Sequence, residues 1–190
     1  MLPDSTAPQI IMGIDPGTYI LGYGVIRVGR RHPEYVATGV LDMRKIDGHF
    51  EKIAYIYREV SRLIAEYVPD VMAVESPFYG KNPQVILKLG RAQGAAITAA
   101  ANAGIPVYEY APRKAKSAIT GNGAASKEQV SVMSQKILDV ALDPGHFDAT
   151  DALAIALCHY FHIKSPLPAA SGVSDWKKFI ESHPERVKNK

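Results

Sequence analysis

The feature that most constrains this chain is a carboxylate at the end of an apolar, strand-like run. Residues 10–15 read Ile-Ile-Met-Gly-Ile-Asp, and the chain then turns through Pro16-Gly17. A lone carboxylate buried at the inner end of a strand costs several kcal/mol of desolvation unless a positive charge compensates it. No Lys, Arg or His occurs within residues 5–26. Either the fold or a bound metal ion must therefore supply that charge.

Two further apolar segments also carry acids at their ends. Residues 71–74 lead directly into Glu75, and the segment that begins with Asp148 carries Asp151 three residues later. A helix places residues with this spacing on one face. Each acid also has a purely structural interpretation: an Asx-turn for Asp15, an edge-strand terminus for Glu75, and helix capping for the last two. Convergence of all four on one point would favour a functional site instead.

The composition predicts one soluble globular domain. The chain has 190 residues, of which 47% are hydrophobic and 22% are charged, and no apolar run approaches the roughly 20 residues that a membrane span needs. The single Cys158 excludes a disulfide framework. The N-terminus lacks the basic and then apolar pattern of a signal peptide, so we expect a cytoplasmic protein.

Positive charge is concentrated in the middle of the chain. The net charge of the whole chain is +3, whereas residues 76–127 contain seven basic residues and one acid, Glu109. The basic residues are Lys81, Lys88, Arg91, Arg113, Lys114, Lys116 and Lys127. A basic segment beside acid-tipped strands predicts a polyanion bound near a metal site. For any single lysine, an ordinary solvated helix face is the alternative.

The order of predicted elements indicates a mixed sheet with helices on both faces. Strands are expected at 9–15, 20–28, 34–44, 71–75 and 105–110, and helices at 49–67, 83–103, 112–119, 126–140 and 148–163. Pro16-Gly17 predicts a type II turn between the first two strands. Ser126 and Gln129 have the spacing of a capping box. Gly90 and Gly94 are expected to permit close packing of their helix.

The ligand types favour a hard metal ion. Four carboxylates without His or Cys neighbours suit Mg²⁺ or Mn²⁺ rather than Zn²⁺. Two such ions about 3.5–4 Å apart would polarise a phosphodiester and generate the attacking hydroxide. The acids therefore predict a metal-dependent hydrolase of phosphodiesters.

Longer motifs surround these acids. The first is Gly13-Ile14-Asp15-Pro16-Gly17-Thr18 with Gly22-Tyr23-Gly24-Val25. The others are Ala73-Val74-Glu75 with Phe78 and Lys81-Asn82, then Leu87-Lys88-Leu89-Gly90, and finally Asp148-Ala149-Thr150-Asp151-Ala152-Leu153-Ala154. In order and spacing, over roughly residues 9–163, these motifs resemble those of the RuvC family of Holliday junction resolvases.

The resemblance implies an RNase H-like α/β fold whose five-stranded mixed sheet has three antiparallel strands followed by parallel ones. It also implies a homodimer that nicks four-way DNA junctions symmetrically during recombination and repair. Two Mg²⁺ ions per subunit, replaceable by Mn²⁺, and a branch-migration complex of the RuvA and RuvB type are expected as cofactor and partner. The nuclease domain would span residues 9–164, and the extension at 1–8 and the tail at 165–190 fall outside the resemblance. Within the tail, the spacing of Trp176, Phe179 and Ile180 predicts a short helix.

By position, the resemblance assigns roles to individual residues. The catalytic acids and metal ligands would be Asp15, Glu75, Asp148 and Asp151. Lys116 and Lys127 would lie near the scissile phosphate and stabilise developing charge. Phe78 would stack on a base at the opened junction centre, and an ordinary core position is its alternative. The remaining DNA contacts would be Lys81, Lys88, Arg91, Arg113 and Lys114.

One departure leaves the role of Arg91 open. Relatives often read Gly-Gln-Ala-Arg-Gly where this chain has Gly90-Arg91-Ala92-Gln93-Gly94.

Three other functions compete with the resolvase interpretation. An actin-like ATP-binding domain shares the Gly-Ile-Asp-x-Gly-Thr motif, but that fold needs two such domains. A non-catalytic junction-binding module would not need the four acids. A related RNase H-like nuclease that cleaves RNA–DNA hybrids would have the same acids, and the family-specific motifs argue against it.

Overall fold

The computed structural model describes residues 9–77, 82–142 and 147–164. Its strands are β1 (Ile10–Asp15), β2 (Ile20–Val28), β3 (Pro33–Asp42), β4 (Val71–Glu75) and β5 (Val107–Tyr110). Its helices are α1 (His49–Tyr67), α2 (Pro83–Asn102), α3 (Pro112–Thr120), α4 (Lys127–Leu138) and α5 (Phe147–Lys164). No helix among these residues is long and apolar enough to cross a membrane.

The five strands form one sheet in the order β3-β2-β1-β4-β5. β1, β2 and β3 are antiparallel neighbours, whereas β4 runs parallel to β1 and β5 parallel to β4. The predicted mixed sheet is thus confirmed. Because β1 and β4 are parallel neighbours, their carboxyl ends meet at one edge, where Asp15 and Glu75 lie.

Helices cover both faces of the sheet, as predicted. Met12 and Ile14 belong to a core cluster with residues of α1 and α2, whereas Ile11 belongs to a second cluster with residues of α4 and α5. The alternation follows from the two-residue period of a strand, which directs successive side chains to opposite faces. β1 is therefore buried on both sides, and Asp15 continues the face that α5 covers.

Three glycines allow α5 to lie directly on the sheet. A Cβ atom at Gly13 would come within 2.1 Å of the Ala152 carbonyl oxygen, and one at Gly22 within 2.0 Å of the Asp148 carbonyl oxygen. At Gly24 the nearest atom would be the Leu153 backbone nitrogen, at 2.7 Å. Any larger residue at these positions would displace the helix that carries Asp148.

Three local predictions were wrong. Gly17 does not have the positive φ that the third residue of a type II turn requires. A Cβ atom at this position would lie 1.8 Å from the Ile20 carbonyl oxygen, so the close approach of that carbonyl explains why glycine occurs here. Asp148 is not an N-cap, because Phe147 already lies in α5. No described atom lies within 4 Å of a Cβ built at Gly90 or Gly94, so neither glycine permits a close contact within the described chain.

Candidate metal centre

Three carboxylates meet where β1 ends and α5 begins. One oxygen from each of Asp15, Asp148 and Asp151 lies within 4.8 Å of the others. β1 delivers Asp15 from the sheet, and the first two turns of α5 deliver the other two from above. Because these acids are brought together from positions more than 130 residues apart, the predicted convergence is confirmed for this trio.

The fourth acid, Glu75, lies beside the trio without joining it. Together with Asp15 and Asp151 it lines an open cleft of about 380 Å³, between the sheet edge and helices α3, α4 and α5. Its backbone carbonyl accepts a 3.3 Å hydrogen bond from the Gln93 side chain, which is buried on α2. Glu75 is therefore close enough to complete a ligand set, but its carboxylate stands outside the group of three.

Asp148 lies in the first turn of α5, where the helix dipole favours an acid, but no turn or cap hydrogen bond among the described residues accounts for the cluster. Among the described residues, Asp15 and Asp148 accept no side-chain hydrogen bond from the backbone, as an Asx-turn or a helix cap would require. Asp151 accepts one side-chain hydrogen bond there, and its donor is Lys127. The acids are held close together at an electrostatic cost that no local turn or cap explains.

The electrostatic cost of bringing these acids together appears as raised pKa values of two of them, Asp15 and Glu75. Burial, followed by the charges of Glu75, Asp151 and Asp148, raises the pKa of Asp15 to about 8, although the Lys127 charge acts to lower it. Burial, followed by the charge of Asp151, raises the pKa of Glu75 to about 7. The site thus carries more negative charge than its own cations neutralise, which is the condition that a bound cation relieves.

Two lysines line the same cleft, as the sequence predicted. The Lys127 ammonium donates a 2.5 Å hydrogen bond to Asp151 Oδ2. Burial by itself lowers the pKa of Lys127, but this bond and the charges of the nearby aspartates outweigh burial and raise the pKa. The Lys116 ammonium donates to the Ala125 carbonyl at 2.8 Å. The fold thus brings one cation, Lys127, to the acids, but its hydrogen bond goes to Asp151 and its charge offsets the raised pKa of Asp15 only in part.

A capping box fixes the position of Lys127. Ser126 accepts from the Gln129 backbone nitrogen, and the Gln129 side chain accepts from the Ser126 nitrogen, so both halves of the predicted motif are present. This cap begins α4 at Lys127 and so directs its side chain towards α5.

The other predicted DNA contacts lie outside this cleft or outside the described residues. Arg113 and Lys114 are exposed on α3, and the Lys114 ammonium lies 5.0 Å from the centre of the Tyr110 ring. Lys88 and Arg91 are exposed on α2. Phe78 and Lys81 fall outside the residues that the structure describes.

A second cleft, which the sequence analysis missed, adjoins the end of β1 on the opposite face of the sheet. It has a volume of about 290 Å³ and is lined by Thr18, Tyr19, Lys52 and Lys88, among others. The Lys52 ammonium lies 4.2 Å from the centre of the Tyr19 ring, which is 62% exposed. Tyr19 directly follows the Asp15 turn, but nothing in the sequence pairs it with Lys52, so no sequence signal revealed this surface.

Comparison with known proteins agrees with this geometry. The family model described as crossover junction endodeoxyribonuclease RuvC matches residues 11–159. A protein of that name from Bacteroides fragilis is 52% identical over 182 residues, covering 95% of this chain and 96% of the relative. The Porphyromonas gingivalis protein is 47% identical over 189 residues, covering 97% of this chain and all of the relative.

A solved structure extends the similarity to three dimensions. The RuvC of Thermus thermophilus, determined in complex with a Holliday junction substrate, superposes with a TM-score of 0.76 at 35% sequence identity. The match covers 82% of this chain and 95% of that one. Its fold is the RNase H-like mixed sheet that the sequence predicted. This chain therefore belongs to the RuvC family of crossover junction endodeoxyribonucleases.

Proposed function

We propose that this protein resolves four-way DNA junctions by metal-dependent, symmetric nicks during homologous recombination and repair. The observation that carries the proposal is the meeting of Asp15, Asp148 and Asp151 within 4.8 Å of one another, in a chain of the RuvC family. Three clustered carboxylates repel DNA phosphates, so they favour a metal-dependent nuclease over a module that only binds the junction.

The donor chemistry fits Mg²⁺. All candidate ligands are carboxylate oxygens, which Mg²⁺ and Mn²⁺ prefer, and the described part of the cleft offers no His or Cys. Asp15, Asp148 and Asp151 would hold the metal, with Glu75 completing the set for two ions per subunit. When bound, the metal supplies charge neutralisation at the phosphodiester and activates water for in-line attack.

The protein's own residues bind and orient the strand to be cut. Lys116 and Lys127 line the cleft from α3 and α4, where their charges would face a phosphate above the carboxylates and stabilise the charge that develops on it. The products would be a 5′-phosphate and a 3′-hydroxyl, ends that a ligase can rejoin. The nuclease domain would comprise residues 9–164, with the segments at 1–8 and 165–190 as appendages.

The basic residues outside the cleft would hold the junction. Lys88, Arg91, Arg113 and Lys114 are exposed and would contact phosphates, and Lys81 and Phe78 would act at the junction centre, with Phe78 stacking on a base. We expect a homodimer, because one active site per subunit gives two symmetric nicks. A branch-migration complex of the RuvA and RuvB type would deliver the junction in the cytoplasm.

Replacing Asp15 separates catalysis from binding. Asp15→Asn keeps the side-chain shape but removes a ligand charge, so we expect cleavage of a synthetic junction to fall below detection while junction binding persists. Asp47→Asn, an exposed acid outside the cleft, is the matched control and should cleave normally. Equal loss of binding and cleavage in Asp15→Asn would contradict the ligand assignment.

A further inference from the structure

Thr38, on β3, contacts the helix turn that carries two of the candidate metal ligands. Its hydroxyl oxygen lies 3.0 Å from the carbonyl oxygen of Ala149, which is 111 residues away in the sequence, and 2.8 Å from that of Tyr23 on β2. Ala149 stands between Asp148 and Asp151 in α5. A hydroxyl carries one proton, so this half-buried group donates to one of the two carbonyls at a time, and the bond to Ala149 is the one that ties β3 to the start of α5.

Farther along α5, His159 Nδ1 lies 2.8 Å from the Tyr110 hydroxyl on β5, but the contact of the first two turns with the sheet otherwise has little directional character. The helix lies on Gly13, Gly22 and Gly24, and its buried residues are mostly apolar. Apolar packing against glycines fixes the distance between the layers but resists sliding and rotation weakly. Among residues 9–77, 82–142 and 147–164, the Thr38 hydroxyl provides the only hydrogen bond between the sheet and the first two turns of α5.

A small movement of α5 would change the distances from Asp148 and Asp151 to Asp15. Each residue of a helix advances by about 1.5 Å and turns by about 100°, so a slip or rotation of the first turn displaces both acids together relative to Asp15. Metal sites tolerate displacements of only about 0.5 Å. A directional bond close to both acids therefore has a large effect on the site.

We propose that the Thr38 hydroxyl is a positioning group that sets the register of α5 and thereby places Asp148 and Asp151 for metal binding. The role rests on the proposed function, since it assumes that these acids hold the metal. Thr38 itself touches neither metal nor DNA in this role; it acts through the Ala149 carbonyl.

Two conservative variants distinguish the hydroxyl from the packing of the side chain. Thr38→Val keeps the branched shape and loses the hydroxyl, whereas Thr38→Ser keeps the hydroxyl and loses the methyl group. Thr38→Ala gives a second matched comparison, with Thr38→Ser. Both variants lose the methyl group, and only Thr38→Ser can still donate a hydrogen bond. If Thr38→Val is strained or does not fold, the comparison of Thr38→Ala with Thr38→Ser still tests the hydroxyl.

The first readout is the Mg²⁺ concentration at half-maximal thermal stabilisation, which needs neither DNA nor activity. Loss of a group that orients metal ligands typically weakens metal affinity 10- to 100-fold. We therefore expect Thr38→Val and Thr38→Ala to raise this midpoint roughly tenfold, and Thr38→Ser to remain near wild type. The same ranking should appear in the Mg²⁺ dependence of junction cleavage, with junction affinity in EDTA unchanged.

The proposal would be overturned if Thr38→Val and Thr38→Ala had the same Mg²⁺ midpoint as wild type, or if Thr38→Ser had a midpoint as high as theirs. A wild-type protein that gains stability from Mg²⁺ but leaves junctions uncut would instead overturn the proposed function. The comparison among the Thr38 variants would still decide the positioning role in that case.

Discussion

Asp15 has the most strongly raised pKa among the acids of this site. Its folded-state pKa of about 8 exceeds the ordinary value of 3.8, so the folded protein binds this proton more tightly than the unfolded chain does. Stability linked to this proton is fully present below about pH 4 and is lost as the pH rises towards 8. Glu75, with a pKa of about 7, contributes in the same direction.

The metal-free protein should therefore become more stable when Asp15 is neutralised. At pH 8 in EDTA, we expect Asp15→Asn to raise the thermal midpoint by roughly 5–10 °C, equivalent to a few kcal/mol. Below pH 4 the gain should vanish. Calorimetry across this pH range measures it, with Asp47→Asn, at an exposed acid outside the site, as the control. An Asp15→Asn protein that is less stable than wild type at pH 8 would contradict the uncompensated burial.

Lys127 should contribute mainly to the chemical step. Removing its charge with Lys127→Met takes away the cation next to Asp151, and we expect single-turnover cleavage at saturating Mg²⁺ to slow about 10²- to 10³-fold. Junction affinity should change little. Lys136→Met, at the exposed end of the same helix, is the matched control and should cleave normally. An equal effect of both variants would remove Lys127 from the catalytic role.

At the scale of the elements, the seating of α5 on the sheet decides whether the acids meet. Gly22→Ala would drive a methyl group against the Asp148 carbonyl, so we expect both a loss of stability and a loss of Mg²⁺-dependent stabilisation. Gly94→Ala is the matched control, because no described atom lies near its added methyl group. It should gain about 0.5–1 kcal/mol as an ordinary helix substitution.

Thermal unfolding with and without Mg²⁺ measures both variants. A Gly22→Ala protein that is stabilised by Mg²⁺ as strongly as wild type would show that α5 tolerates displacement.

Most elements were predictable because their signals are local. The amphipathic spacing of α1, the Ser126–Gln129 cap of α4 and the apolar run of α5 each predict one element with boundaries close to those observed. The glycines beneath α5 were not recognised, since their reason is a contact with residues more than 120 positions away. Gly90 and Gly94 show the reverse error, in which composition suggested packing that the described chain lacks.

The candidate metal centre, like the fold, could be predicted in part from the sequence. The four acids could be proposed from their positions after apolar runs, because an unexplained buried charge is visible in the sequence itself. Their grouping into a trio, with Glu75 beside it, depends on how β4 and α5 approach β1, which is a tertiary property. Thr38 and Lys52 were missed for the same reason: neither is unusual until its spatial neighbour is known.

At the scale of the whole molecule, the uneven distribution of charge should govern DNA binding. Residues 76–127 carry seven of the basic residues and one acid, so junction affinity should fall steeply as salt rises. Lys88→Gln should reduce the slope of log affinity against log salt by about one. Lys45→Gln, an exposed lysine outside this segment, is the control. Fluorescence anisotropy in EDTA measures binding alone, and a flat salt dependence would exclude this surface.

The most direct test of the whole account compares three substrates, each with Mg²⁺ and with EDTA: a synthetic four-way DNA junction, a matched linear duplex and an RNA–DNA hybrid. The account predicts paired, symmetric nicks in the junction alone, and only with Mg²⁺. Cleavage of the hybrid in place of the junction would keep the metal centre but contradict the proposed substrate. Tight junction binding without cleavage in Mg²⁺ or Mn²⁺ would contradict the assignment of the acidic cluster as a catalytic centre.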